Sequence, residues 1–180
     1  MAESKHYFVN LNLKCVDSNH VKNRMHRYVN LAKALFSKGC TSNGRTFNVC
    51  FAVKQNKVIA IGINNYSQHV KAYNKQLGYK YKKFGSKSYE PCLHAEVSAV
   101  LKLGLEDCSG LSFYNVRLDR NCHCRNSQPC ANCLYLLRSV GAKNIYCYDD
   151  DMNICRVDDD IEFLESSLGN YGRSTAKRSA

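Results

Sequence analysis

Apolar residues recur at helical spacing over residues 20–38. They fall three or four positions apart, and Gly39 follows as a C-cap, so this segment is expected to form an amphipathic helix. Two β-rich runs come next, at 46–53 and 57–63, and the polar link between them indicates a hairpin. Residues 7–13, before the helix, are expected to form a short strand or an ordered arm. The apolar stripe of the helix consists of Val21, Met25, Tyr28, Val29, Ala32, Leu35 and Phe36.

The second half of the chain alternates helices and strands. Aliphatic spacing predicts a helix at 93–104 and a strand at 111–118, and a further helix at 130–140 that Pro129 opens and Gly141 ends. Strands are expected at 144–148 and, antiparallel to it, at 152–157, with a closing helix over 160–168. This order predicts a three-layer α/β/α domain whose mixed five-stranded sheet is covered by helices on both faces.

The stretch from 64 to 92 lacks this periodicity and mixes six Lys with five Tyr and one Phe. Aromatic rings interleaved with ammonium groups are typical of single-strand nucleic-acid binding, whereas a solvated lid or an oligomer contact is the alternative. Loops of this length inside compact domains are usually functional or disordered. We expect one domain over residues 1–168 with this basic insertion at 65–91, followed by a flexible basic tail over 169–180.

Composition and charge narrow the class of protein. With 44% hydrophobic and 23% charged residues, the 180-residue chain is not disordered throughout, and its net charge of +11 favours phosphate-bearing partners over a merely solvated surface. No apolar run is long enough for a signal peptide or a membrane span, so we expect a cytoplasmic protein without membrane partners. Eleven cysteines, an odd number, indicate free thiols and a metal site in a reducing compartment.

One spaced signature carries candidate chemistry: His94-Ala95-Glu96, followed by Pro129-Cys130-Ala131-Asn132-Cys133. The two cysteines are three apart in a helical first turn, so they face the same direction, and helix N-termini favour thiolates. His94, Cys130 and Cys133 could hold a zinc ion, and three protein ligands leave the fourth tetrahedral position for water, as in catalytic sites. Glu96 is then left to transfer protons as the catalytic residue.

These residues resemble the zinc-dependent cytidine/deoxycytidylate deaminase superfamily, whose signature pairs His-x-Glu with Pro-Cys-x-x-Cys. The resemblance extends from about residue 21 to residue 157, as the order of elements shows, and is nearest to viral or phage cytidylate-deaminase-like members. It implies that Glu96 shuttles protons beside one catalytic zinc, that the protein is a homo-oligomer, and that a virus could encode it. The antiparallel last strand pair is similar to the branch that holds free-nucleoside cytidine deaminases.

Substrate contacts are expected partly from the resemblance and partly from the charged and aromatic residues themselves. Asn64, in Gly62-Ile63-Asn64, is similar to an Asn that bonds the sugar or the base in the family. Arg117 and Arg120 could meet a phosphate or solvate the connection in which they lie. The expected substrate-binding residues are Asn64, Tyr66, Lys71, Ala95, Arg117, Arg120 and Pro129.

Several alternatives remain open from the sequence. The expected activity is hydrolytic deamination of cytosine to uracil in a free pyrimidine nucleotide or nucleoside; the alternative substrate is cytosine in single-stranded DNA or RNA. A catalytically silent nucleic-acid-binding protein is a third hypothesis. The metal could instead be structural, if Cys122-His123-Cys124 joins Cys130 and Cys133 in a closed knuckle. A second, structural zinc beside the catalytic one could draw on Cys92, Cys108, Cys122, His123 or Cys124.

Overall fold

A computed structural model of the protein describes residues 12–40, 46–65, 93–104 and 108–158, with the side chains of residues 131 and 132 left out. The expected helix at 160–168, the tail at 169–180 and the insertion at 65–91, apart from its first residue, lie outside these ranges. The described elements, in chain order, are β1 (Leu13–Cys15), α1 (Asn19–Ser37), β2 (Phe47–Lys54), β3 (Lys57–Ile63), α2 (Ala95–Leu103), β4 (Ser112–Leu118), β5 (Cys124–Arg125), α3 (Ala131–Ser139), β6 (Asn144–Tyr148) and β7 (Ile154–Val157).

The strands form one mixed sheet in the order β1-β7-β6-β4-β2-β3, with β5 paired to β4. The pair β4–β6 is parallel and the other pairs are antiparallel, including β6–β7, so the expected antiparallel last pair is confirmed. The expected count of five strands is wrong, because the described residues contain seven. The two extra strands are three and two residues long, too short for an alternating pattern to mark them.

Helix α1 covers one face of the sheet. Its residues Met25, Tyr28, Val29 and Ala32 are buried, as the stripe at helical spacing predicts. The ring of Tyr28 stacks on Phe51 with centroids 5.0 Å apart. This face of the sheet is therefore a packed aromatic and aliphatic core.

Helices α2 and α3 cover the opposite face, which confirms the three-layer α/β/α architecture. They pack over a second cluster, made of small and aliphatic side chains from β2, β3, β6 and β7 and of Phe113 from β4. The approach of α2 is close: a Cβ added at Gly62 of β3 would lie 1.9 Å from the Ala95 carbonyl oxygen and 2.4 Å from the Ala99 nitrogen. Glycine at this position therefore allows the start of α2 to rest on the backbone of β3.

Turn and cap residues set the ends of these elements. The β2–β3 hairpin turns through Gln55 and Asn56, whose φ angles of 46° and 69° are typical of a type I′ turn. Helix α1 ends at Ser37 with Lys38 as its C-cap, one residue before the expected C-cap Gly39. Gly39 has a φ of 74° and donates its N–H to the Phe36 carbonyl. Within the described ranges, no helix combines the length and the apolar character needed to cross a membrane.

Candidate active site

The two halves of the signature meet at the N-termini of α2 and α3. His94 is the N-cap residue of α2 and Cys130 is the N-cap residue of α3, and neither side chain is used to cap its helix. Cys133 lies three residues into α3 and is buried. Both helix N-termini thus point toward one place, where the macrodipoles favour thiolate over thiol.

The ligand atoms of these residues are close enough to share one ion. The His94 Nδ1 atom lies 3.5 Å from Cys130 Sγ and 3.3 Å from Cys133 Sγ, and all three atoms lie within 4.8 Å of one another. Ligands at tetrahedral zinc, with Zn–S of about 2.3 Å and Zn–N of about 2.0 Å, would place sulfur and nitrogen about 3.5 Å apart. The donor set and its spacing therefore fit zinc.

Hydrogen bonding within this trio stabilises negative charge on one sulfur. The hydrogen bond with Cys133 lowers the pKa of the Cys130 thiol well below its ordinary value, and His94 lowers it further. The same hydrogen bond raises the pKa of Cys133. Contact with Cys130 raises the pKa of His94 to about 9, against the effect of burial. Cys130 is thus the sulfur that most readily becomes a thiolate.

Glu96 lies beside the trio in the first turn of α2. Its side chain is buried, with 8% of its surface exposed, and it accepts a hydrogen bond of 3.4 Å from the Asn115 amide. Burial raises the pKa of the Glu96 carboxyl, whereas His94 lowers it. A buried carboxyl next to a metal-ligand set is placed to accept and return protons there.

The closed zinc knuckle considered for Cys122-His123-Cys124 does not form in the described residues. Cys122 and Cys124 pack against the core cluster beneath α1, on the face of the sheet opposite α2 and α3. The two ligand groups found in the described part of the chain include neither of them, nor His123 or Cys108. Cys92, the remaining candidate for a second zinc, lies outside the described residues.

A row of polar residues lines the sheet next to Glu96. Asn115 bonds Glu96 and is two positions before Arg117 on β4, so both face the α2 side. Arg117 is opposite Asn48 on β2 and opposite Arg125 on β5. Arg117 is partly buried, and its Nε atom has no hydrogen-bond partner among the described residues. Arg117 therefore lies on the same face of the sheet as Asn115, the residue that bonds Glu96.

Asn64 completes this row, and its amide bonds the backbone of β2. Its Oδ1 accepts a hydrogen bond from the Asn48 N–H at 2.8 Å, and its Nδ2 donates to the Thr46 carbonyl at 3.3 Å. The side chain is 1% exposed. In this structure Asn64 therefore fixes the end of β3 to β2, and its expected contact with a sugar or base stays a prediction.

The other expected substrate contacts are spread more widely. Ala95 is buried under Gly62, and Pro129 is buried one residue before the N-cap of α3 and thus outside the helix that it was expected to open. Arg120 is exposed in the turn between β4 and β5. Tyr66 and Lys71 lie outside the described residues.

Two residues at the site were missed by sequence reasoning, Asn115 and Ser127. The Ser127 hydroxyl donates to the Asn115 carbonyl at 2.8 Å and accepts the Tyr148 N–H at 2.9 Å. It therefore joins the segment that leads to Cys130 to both β4 and β6. The Asn115 Oδ1 atom is buried without a hydrogen-bond partner among the described residues. An amide residue between the apolar Tyr114 and Val116 of β4 was the available signal for Asn115.

With this geometry in place, comparison with known proteins identifies the family. The model of the cytidine and deoxycytidylate deaminase zinc-binding region matches residues 22–149. The chain belongs to this deaminase family. The matched region contains every residue of the His94 and Cys130 signature, which supports a zinc-binding deaminase site. No curated protein sequence matches the chain.

Solved structures to which this chain is similar include those of a dCMP deaminase from the cyanophage S-TIM5. Its apo form is 17% identical, with 71% of this chain and 82% of that chain covered and a TM-score of 0.41. Its complex with dCMP and dUMP is 22% identical, with 72% and 82% covered and a TM-score of 0.42.

Proposed function

We propose that this member of the deaminase family hydrolyses the exocyclic amine of cytosine in a free pyrimidine nucleotide, giving uracil and ammonia. The observation that carries the proposal is the position of Glu96, a buried carboxyl that is not one of the ligands but lies beside the His94, Cys130 and Cys133 trio. A closed structural zinc site would have no use for this carboxyl.

The residues divide the chemistry between them. His94, Cys130 and Cys133 would hold zinc, which supplies a Lewis acid that makes water nucleophilic at neutral pH. Glu96 takes a proton from the attacking water and delivers it to the ring nitrogen of cytosine. It then takes the proton of the newly attached hydroxyl and delivers it to the amine, so that ammonia leaves as the carbonyl forms. The Asn115 amide, which donates to Glu96 Oε1, orients the carboxylate for both transfers.

The decisive variant is Glu96→Gln, which keeps the size of the side chain and the ligand set. We expect turnover of dCMP to fall by about 10²–10⁴-fold while bound zinc is unchanged, because general acid–base catalysis contributes that range. The matched control is Asp17→Asn, which also neutralises a carboxylate but lies on the surface, where it pairs with Lys22. Equal turnover in Glu96→Gln and the wild type would overturn the assigned role.

Substrate class is tested with dCMP, CMP, cytidine and a cytosine-containing single-stranded oligonucleotide side by side. We expect turnover of the mononucleotides, because the family is named for cytidine and deoxycytidylate. The net charge of +11 favours the oligonucleotide as the second candidate. Turnover of the oligonucleotide alone would replace the proposed substrate with a polynucleotide.

Arg117 provides a finer test for the phosphate of the substrate. We propose that its guanidinium meets the nucleotide phosphate, because it lies on the same face of β4 as Asn115 and has a buried Nε atom that no described group satisfies. Arg117→Gln should raise KM for dCMP and leave KM for deoxycytidine unchanged. Arg27→Gln, on the exposed side of α1 and thus on the other face of the sheet, is the control and should change neither. A parallel loss for nucleotide and nucleoside would show that Arg117 does not read the phosphate.

A further inference from the structure

A second group of metal-ligand side chains lies at the edge of the sheet formed by β1. It consists of Cys15 on β1, Cys155 on β7 and Asp149 in the turn between β6 and β7, and their ligand atoms lie within 4.8 Å of one another. None of these residues belongs to the His94 site, and none was among the residues that the sequence suggested for a second zinc. We propose that this group, named here the edge site, binds a second zinc ion.

The backbone brings the two sulfurs together. Cys15 and Cys155 are directly opposite in the antiparallel β1–β7 pair. The flanking residues make the ladder bonds, from the Val16 N–H to the Ile154 carbonyl at 2.8 Å and from the Asp158 N–H to the Asn12 carbonyl at 2.9 Å. Because these bonds alternate along the ladder, the cysteines occupy a non-hydrogen-bonded position, where opposing side chains are closest.

The third ligand is placed by the turn. The Asp149 carboxylate accepts the Asn153 backbone N–H at 2.8 Å and the Asn153 amide at 3.1 Å, which fixes its orientation. Its Oδ2 atom then lies 3.5 Å from Cys155 Sγ. The turn thus points one carboxylate oxygen at the pair of thiols.

The separations match the edges of a zinc tetrahedron. The two sulfurs are 3.8 Å apart; two ligands at about 2.3 Å from zinc would be about 3.8 Å apart, and a sulfur and an oxygen about 3.5 Å. Thiolates favour zinc over the hard cations magnesium and calcium.

Exposure indicates what the ion would do. Cys155 is buried, Asp149 is half-buried and Cys15 is exposed, so the group is reached from solvent and a water can complete the coordination. Its ligands come from β1, β7 and the turn before β7. Zinc at the edge site would therefore stabilise the pairing of the three-residue β1 with the sheet. This role is independent of deaminase activity.

The test is the zinc content of the full-length protein after equilibrium dialysis against micromolar zinc with a non-thiol reductant. We expect two zinc ions per wild-type chain and one per chain in both Cys15→Ser and Asp149→Asn. Cys40→Ser, which removes an exposed cysteine that belongs to neither ligand group, is the control and should retain two. His94→Ala should lose the other ion and keep the one at the edge site.

The zinc content of these variants shows whether the edge site binds zinc. If Cys15→Ser and Asp149→Asn bind as much zinc as the wild type, the edge site is not a zinc site. If one ion is lost in His94→Ala and the wild type holds a single ion, the edge site is likewise excluded while the proposed active site stands. A disulfide between Cys15 and Cys155 in protein prepared without added oxidant would also overturn the proposal, because the two sulfurs would then form a covalent cross-strand link and could not bind zinc.

Discussion

Replacing Gly62 by Ala should displace the helix that carries His94 and Glu96. The added Cβ would lie 1.9 Å from the Ala95 carbonyl oxygen, whereas real Cβ contacts stay above 3.0 Å, so α2 must move by about 1 Å. The obstructing atoms are backbone atoms of the first turns of α2, and no side-chain rotation can relieve the contact. Overpacking of this kind costs about 1–3 kcal/mol, and we expect the upper end for a clash with the backbone.

The effect on activity should exceed the effect on stability. A misplacement of 1 Å can cost about 10²-fold in rate, so kcat for dCMP should fall by that factor in Gly62→Ala while the protein stays folded. Urea unfolding gives the stability change, and turnover of dCMP, with zinc retention, gives the functional change. Loss of zinc would show that His94 has left Cys130 and Cys133.

The matched control is a substitution that destabilises the protein from the opposite face of the sheet. Val53 is 3% exposed and belongs to the core beneath α1, so Val53→Ala should cost about 2 kcal/mol while kcat is unchanged. If Gly62→Ala unfolds at the urea concentration of the wild type and turns over at its rate, α2 does not rest on β3 as described. If both variants lose kcat equally, global destabilisation explains the effect.

Three further predictions concern single residues. Ser127→Ala leaves the buried Tyr148 N–H without its acceptor and should cost about 1–3 kcal/mol in urea unfolding; an unchanged midpoint would contradict this hydrogen bond. Hydrogen bonding, led by the His123 backbone N–H, lowers the pKa of the Asp119 carboxyl. The stability that it contributes is therefore complete above the unfolded pKa of about 3.9 and is lost as pH falls through the lowered value, so the gap between the wild type and Asp119→Asn should close in acid; a gap independent of pH would refute this. Tyr28→Ala, which empties the ring stack beneath α1, should cost about 3–5 kcal/mol by the same unfolding measurement, and a loss below 1 kcal/mol would be inconsistent with that packing.

Elements with enough residues to show a period were predictable from the sequence. The buried positions of α1 repeat every three or four residues, and the β2–β3 hairpin has a turn of suitable length, so both were placed within one or two residues. β5 is two residues long, too short for any period in the sequence to predict it. A segment this short becomes a strand only because β4 offers it a partner.

The candidate ligands were predictable because their spacing along the chain is itself the signal. The surroundings of Glu96 were not, since Asn115 reaches it only through the register between strands and the placement of α2. For Asn64, the position along the chain was predictable but the contacts of the side chain were not. The sequence predicts a substrate contact for Asn64, whereas the bonds of its amide to Thr46 and Asn48 depend on a neighbouring strand and could not be predicted.

The pairing of β1 with β7 has a consequence for the order in which the chain can fold. Cys15 and Cys155 are 140 residues apart in sequence, so closing that contact early would cost a large loop entropy for a ladder of three residue pairs. β1, the first described strand to leave the ribosome, therefore cannot pair until β7, the last one, has been synthesised. Its pairing should follow assembly of the central sheet, and its amide hydrogens should be among the first to exchange with solvent.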